Sequence, residues 1–151
     1  MSDSIPGPTI TRAASSVQNP RKLFVNLPVT DLQRSIRFFE ALDFSFNPQF
    51  TDHTATCMLV GEDAYVMLLT EARFQEFSKR PLGDRSKETS ALLAFSVASR
   101  EEVDRIVAVA VQNGGTIAGD PQDLGFMYNH SFRDPDGHTW EPFWMDPEAV
   151  G

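Results

Sequence analysis

The feature that most constrains this chain is a repeat of element order. Strand, helix and three strands occur once over Lys22–Thr70 and again over Ser90–Trp144. In the first copy KLFVNLPV (22–29) alternates as a strand, placing Phe24, Asn26 and Pro28 on one face and Leu23, Val25, Leu27 and Val29 on the other. Thr30 and Gln33 satisfy a capping box, so a helix starts there, with Leu32, Ile36, Phe39 and Leu42 as its buried stripe. Strands are expected over 45–49, 54–60 and 64–70, the last two joined by Gly61-Glu62-Asp63. The second copy has SALLAFSVA (90–98) as its first strand, a capping box at Ser99–Glu102, and a stripe of Val103, Ile106, Val107 and Ala110. Asn113-Gly114-Gly115 closes that helix. Val29 matches Val97 at an offset of 68, and the turn before Ala64 matches Asp134–Gly137 at a slightly larger one. Each half alone leaves one sheet face bare, so the expected class is α+β: two βαβββ modules forming a curved mixed-sheet cup, helices outside.

The segments that follow are an arm over 1–20, a first module over 21–70, a helix and linker over 71–89, a second module over 90–147 and a tail over 148–151. The arm carries Ser, Thr, Pro and Gly without apolar period, so it is expected to be mobile. In the connector, Phe74 and Phe77 stand one helical turn apart; a lid over the cup and a packed linker both fit them.

The densest chemistry lies in FMYNHSFRDPDGHTWEPFW (126–144). Pro135 and Gly137 make Asp134–Gly137 a turn, and two strands flank it as a hairpin. Along the second arm Thr139, Glu141 and Phe143 face one way; His138, Trp140, Pro142 and Trp144 face the other. Glu141 is therefore an acid among bulky apolar residues, and such a carboxylate needs a partner: a metal, a base, a ligand, or the polar groups of Arg133, Asn26 or the backbone. In an apolar cup without a cation its pKa is expected to rise, suiting it to accept a proton. Tyr128 and His130 share a face of their own strand, either as a hydrogen-bonded core pair or as groups that orient an oxygen-rich ligand. His138 beside the turn is read as structural and His53 as a loop residue.

Composition excludes several classes. A formal charge of −8 disfavours nucleic acid and anionic membrane surfaces as partners. The single cysteine, Cys57, rules out an intramolecular disulfide and a multi-thiolate zinc site, and its apolar surroundings suit a buried, inert thiol. Neither a membrane-length apolar run nor a signal core is present, so the expected location is cytoplasmic.

The duplicated module, VTDLQRSIRFFEALDF after the first strand and FRDPDGHTWE near the end together resemble the vicinal oxygen chelate superfamily. That superfamily includes glyoxalase I, bleomycin-resistance proteins and extradiol dioxygenases. The likeness is greatest to small glyoxalase-like proteins predicted to be lactoylglutathione lyase-related. The resemblance implies a homodimer and, in the metal enzymes, one ligand from each of four inward strand positions. Those positions fall here on Phe24, Met67 (or its neighbour Leu68), Leu92 and Glu141. Only the last is a ligand, so no metal site of the usual kind and no cofactor are expected. One alternative stays open, a divalent ion held through Glu141 and His130, with Tyr128 or Asn26 converging on them.

Two functions remain in competition. In one, a lyase or isomerase acts on an oxygen-rich substrate without the usual metal. There Glu141 and His130 are catalytic, and Asn26, Tyr128, Phe24, Met67 and Leu92 bind substrate. In the other, a bleomycin-resistance-like protein sequesters a small molecule without chemistry.

Overall fold

The computed structural model describes residues 19–150, so the expected arm lies, but for its last two residues, outside the described residues. β1 (Leu23–Val29) leads into α1 (Leu32–Ala41), followed by β2 (Ser45–Asn47), a 3-10 turn (Pro48–Phe50), β3 (Ala55–Gly61) and β4 (Ala64–Thr70). α2 (Glu71–Ser78) and a strap over 79–91 lead to β5 (Leu92–Ser96), α3 (Arg100–Gln112) and β6 (Thr116–Ile117). The chain ends with β7 (Gln122–Asp123), β8 (Met127–Asn129), β9 (Phe132–Arg133), β10 (Thr139–Met145) and α4 (Pro147–Val150).

The two modules repeat one topology. The first sheet has the order β1-β4-β3-β2, with β1 parallel to β4. In the second sheet β5 runs parallel to β10, and β8 and β9 lie in line along the other edge of β10. One face of each sheet is covered and apolar, and the covered faces share a single core. Phe39 of α1 meets Trp140 of β10 edge-on at 5.0 Å, and Phe44 meets Phe95 of β5 at 5.4 Å. α1 therefore packs against both modules, which widens its buried face beyond the expected stripe. Ser35 and Phe38 are buried, while Ile36 is only partly so. The cap is also one residue on from the expected capping box. Asp31, rather than Thr30, is the N-cap, accepting from Arg34 N at 3.1 Å.

Thr30 is engaged elsewhere, at the joint between modules. Asp136, its side chain 1% exposed, accepts from Thr30 N at 2.8 Å, Thr30 Oγ1 at 2.9 Å, Ser35 Oγ at 3.2 Å and Arg34 Nη2 at 3.3 Å. A carboxylate from the second module thus sits at the positive end of α1. Asp134 closes the turn itself, accepting from Asp136 N, His138 N and the Trp140 indole at 2.9 to 3.0 Å. Burial pushes its carboxyl above the usual range, against the pull of His138 and the hydrogen bonds from the Trp140 indole and His138 N. His138 completes the joint, with Nε2 2.7 Å from the Pro28 carbonyl, which makes it a structural residue.

Candidate ligand site

The turn of the hairpin decides which residues share Glu141's face. Gly137 N donates to the Asp134 carbonyl at 2.9 Å, Asp134 N donates to the His138 carbonyl at 3.0 Å, and Gly137 has φ +89°. This is a type I turn followed by a glycine bulge, a three-residue loop in which a left-handed glycine is required. Beyond it Thr139 pairs with Arg133, Trp140 with Phe132 and Phe143 with Asn129. Ser131 therefore stands across from Glu141, and its Oγ donates to Oε2 at 3.2 Å.

His130 falls across from Pro142 and faces the core side with Trp140. Tyr128 pairs with Trp144 on that same side, where its hydroxyl donates to Asp104 of α3 at 2.6 Å. That bond pushes the phenol up to about 12. The Arg100 guanidinium stacks on both rings, 5.4 Å from Tyr128 and 5.0 Å from Trp144. The structure thus corrects the expected pairing of His130 and Tyr128 with Glu141. A two-residue loop would have set His130 across from Glu141; one more residue turns every side chain of the arm over. His130 Nε2 is buried without a partner among the described residues.

The uncovered face of the second sheet carries Glu141, half-buried, between Ser131 and Ala94, with Leu92 58% exposed one step along β5. Thr139, buried, and Arg133 lie on the same face beside the turn. Three of these residues, Ser131, Arg133 and Thr139, were not among the expected site residues. Alternation along the second arm already put Thr139 on Glu141's side; counting the loop as three residues brings Ser131 and Arg133 there as well.

On the first sheet the uncovered face is aromatic and apolar. Phe24 stacks on Tyr65 at 4.7 Å and 13°, Asn26 pairs with Met67, and Pro28 with Leu69. Among the described residues the Asn26 amide donates only to the Phe24 carbonyl, at 3.4 Å, and Asn26 is exposed. α2 leans over this end, and Phe74 and Phe77 line with Asn26, Leu69 and Ser78 a cavity of about 410 Å³. Cys57 sits across from Met67 on β3, 1% exposed, and burial pushes its thiol up.

These residues do not fit a divalent metal. Asn26 and Met67 lie level on the first sheet and Ala94 and Glu141 on the second, with Phe24 and Leu92 one step away; one carboxylate and one neutral amide are the whole hard-donor set of these positions. Glu141 and His130, on opposite faces of one sheet, do not form the alternative site. Among the described residues no three His, Cys, Asp or Glu side chains converge as metal ligands.

A fold of paired βαβββ modules defines a class, and the comparisons agree on it. The family model of the Glyoxalase/Bleomycin resistance protein/Dioxygenase superfamily matches residues 23–141, and the chain belongs to that superfamily. No curated protein matches it. Among solved structures, hypothetical protein SA1046 from S. aureus is 29% identical, with 86% of this chain and 95% of that one covered and a TM-score of 0.69. A glyoxalase/bleomycin resistance protein/dioxygenase family enzyme from Burkholderia phytofirmans PsJN is 19% identical over 81% and 96% of the two chains, with a TM-score of 0.67. The fosfomycin resistance protein FosX from Mesorhizobium loti is 19% identical over 90% and 100%, with a TM-score of 0.60. The last two likenesses are of fold. No helix among the described residues is long and apolar enough to cross a membrane.

Proposed function

We propose that the protein binds and sequesters a small molecule, in the manner of the bleomycin-resistance branch, without metal chemistry. The observation that carries this reading is the make-up of the uncovered faces. They offer a stacked Phe24–Tyr65 platform and one carboxylate, Glu141, but no set of metal donors. A flat ring with a cationic or hydrogen-bond-donating group suits that combination. The test is calorimetry against a panel of aromatic cations, followed by recovery of the ligand. A saturable ligand recovered unchanged supports the reading; a product overturns it.

A second reading has one observation in its favour. Among the described residues Glu141's side chain is hydrogen-bonded only by the neutral Ser131 hydroxyl, which leaves a carboxylate free to accept a proton from an oxygen-rich substrate in a lyase or isomerase step. On that reading Glu141→Gln abolishes turnover while the folded protein keeps its circular dichroism; activity retained in that variant removes it.

On either reading two copies are expected to join as a homodimer, the first sheet of one meeting the second sheet of the other. Phe24 (46% exposed), Leu59 (37%) and Leu92 (58%) lie bare on the two faces, an arrangement costly for a monomer. Sedimentation is expected to give twice the chain mass, with Leu92→Asp shifting it to one. The cytoplasm is the proposed compartment, resting on the lone buried cysteine, and cell fractionation tests it.

A further inference from the structure

Beneath the strap that links the modules lies a cavity apart from the uncovered aromatic platform. It measures about 210 Å³ and is lined by Leu27, Pro28, Phe74, Leu82 and Leu93 together with Thr139. An apolar cavity of roughly 150 Å³ is enough to take benzene, so a six-membered ring fits here. Thr139 is 5% exposed, and its Oγ1 has no hydrogen-bond partner among the described residues. Buried hydroxyls are seldom left so, and this one, at the wall of the cavity, is free to bond a ligand's polar group.

The sign of that group comes from the neighbouring strand. Arg133 sits directly opposite Thr139 on the same face and forms no ion pair among the described residues. Its residue lines an adjoining cleft of about 480 Å³, with Lys87, Thr89 and Thr116. Cleft and cavity share Arg85, Glu88, Thr89 and Gly137, so they adjoin along the strap. Of the acids there, Asp134 is taken up by the turn and the Trp140 indole, and Asp136 by Thr30, Ser35 and Arg34. Asp84 and Glu88 remain; Asp84 is taken up by the backbone N–H and hydroxyl of Ser86, and Arg133 is the cation directly opposite Thr139.

We propose that this joint is a second ligand site, one for a small ring-bearing carboxylate. The ring fills the cavity, and the carboxylate takes the Thr139 hydroxyl and the Arg133 guanidinium. The strap closes over it and is held by Arg85, whose Nη2 donates to Glu71 at 2.8 Å and whose Nε donates to the Asp136 carbonyl at 3.2 Å. Gly137 admits the strap: a Cβ there would collide with the Arg85 backbone.

The probe is benzoate, with benzyl alcohol as its uncharged analogue, titrated into the purified full chain and read by calorimetry and ligand-observed NMR. Benzoate is expected to saturate and to bind at least about tenfold more tightly than the alcohol, a charge-assisted preference. Thr139→Val, close to isosteric, is expected to weaken benzoate at least about tenfold, with Thr139→Ser restoring it. Arg133→Gln is expected to erase the preference for the acid over the alcohol. Glu141→Gln, which tests the uncovered face, leaves benzoate binding in place, so failure here and failure there are told apart. No saturable benzoate binding, or binding unchanged in both Thr139→Val and Arg133→Gln, overturns the proposal.

Discussion

The two modules share a strand order yet use their equivalent turns in opposite ways. The first, at Gly61–Asp63, is solvated: Asp63 meets Lys22 at 3.4 Å with both side chains more than half exposed. The second, at Asp134–Gly137, spans the modules with both its carboxylates buried; these tie it to α1 and Trp140, and the neighbouring His138 ties it to β1. The strands beyond the turns diverge in the same sense. On the first sheet Asn26 and Met67 lie level; on the second Ala94 and Glu141 do. One module's face is an apolar, aromatic platform, and the other carries the acid. The two modules are similar frames, and the burial of each turn and face decides which side chains each one presents.

Removing the buried carboxylate gives the largest effect and tests the comparison most directly. Asp136→Ala leaves Thr30, Ser35 and the Arg34 guanidinium without their acceptor, and is expected to cost about 3 kcal/mol. In thermal melts that is roughly 6–12 °C for a chain of this size. Asp63→Ala, at the solvated turn, is expected to leave the midpoint where it was; equal losses in the two variants would end the contrast. A smaller loss, about 2 kcal/mol, is expected for Asp134→Asn. An amide cannot accept from both the backbone N–H groups and the Trp140 indole, so a donor meets a donor. Urea unfolding of that variant checks it.

The smallest effect lies on the core side of the second sheet and shows only in alkali. The Asp104 carboxylate raises the Tyr128 phenol from 10.0 to about 12, so the folded chain holds its proton more tightly than the unfolded chain does. That stabilisation is whole below about pH 10 and is lost as pH rises toward 12. Melts across that window are expected to fall more steeply for the wild type than for Tyr128→Phe; parallel curves would remove Tyr128 from α3 and reopen a place for it beside Glu141.

Periodicity along the chain was enough to reveal the repeated modules, the two amphipathic helices and the face on which Glu141 stands relative to Trp140. These are local matters, settled by alternation within one strand or by turns of one helix. Asp31, in contrast, displaced Thr30 as the cap because Thr30 had a partner more than a hundred residues away in Asp136. Ser35 is buried by that same contact, and Phe38 by a second sheet that no helical period announces.

What the amino-acid order determined by itself is the kind of fold and the lone acid on its last strand. What only the assembled structure decided is the company that acid keeps. The glycine bulge at Gly137 lengthens one loop by a residue, and because strand side chains alternate, that residue exchanged His130 for Ser131 across from Glu141.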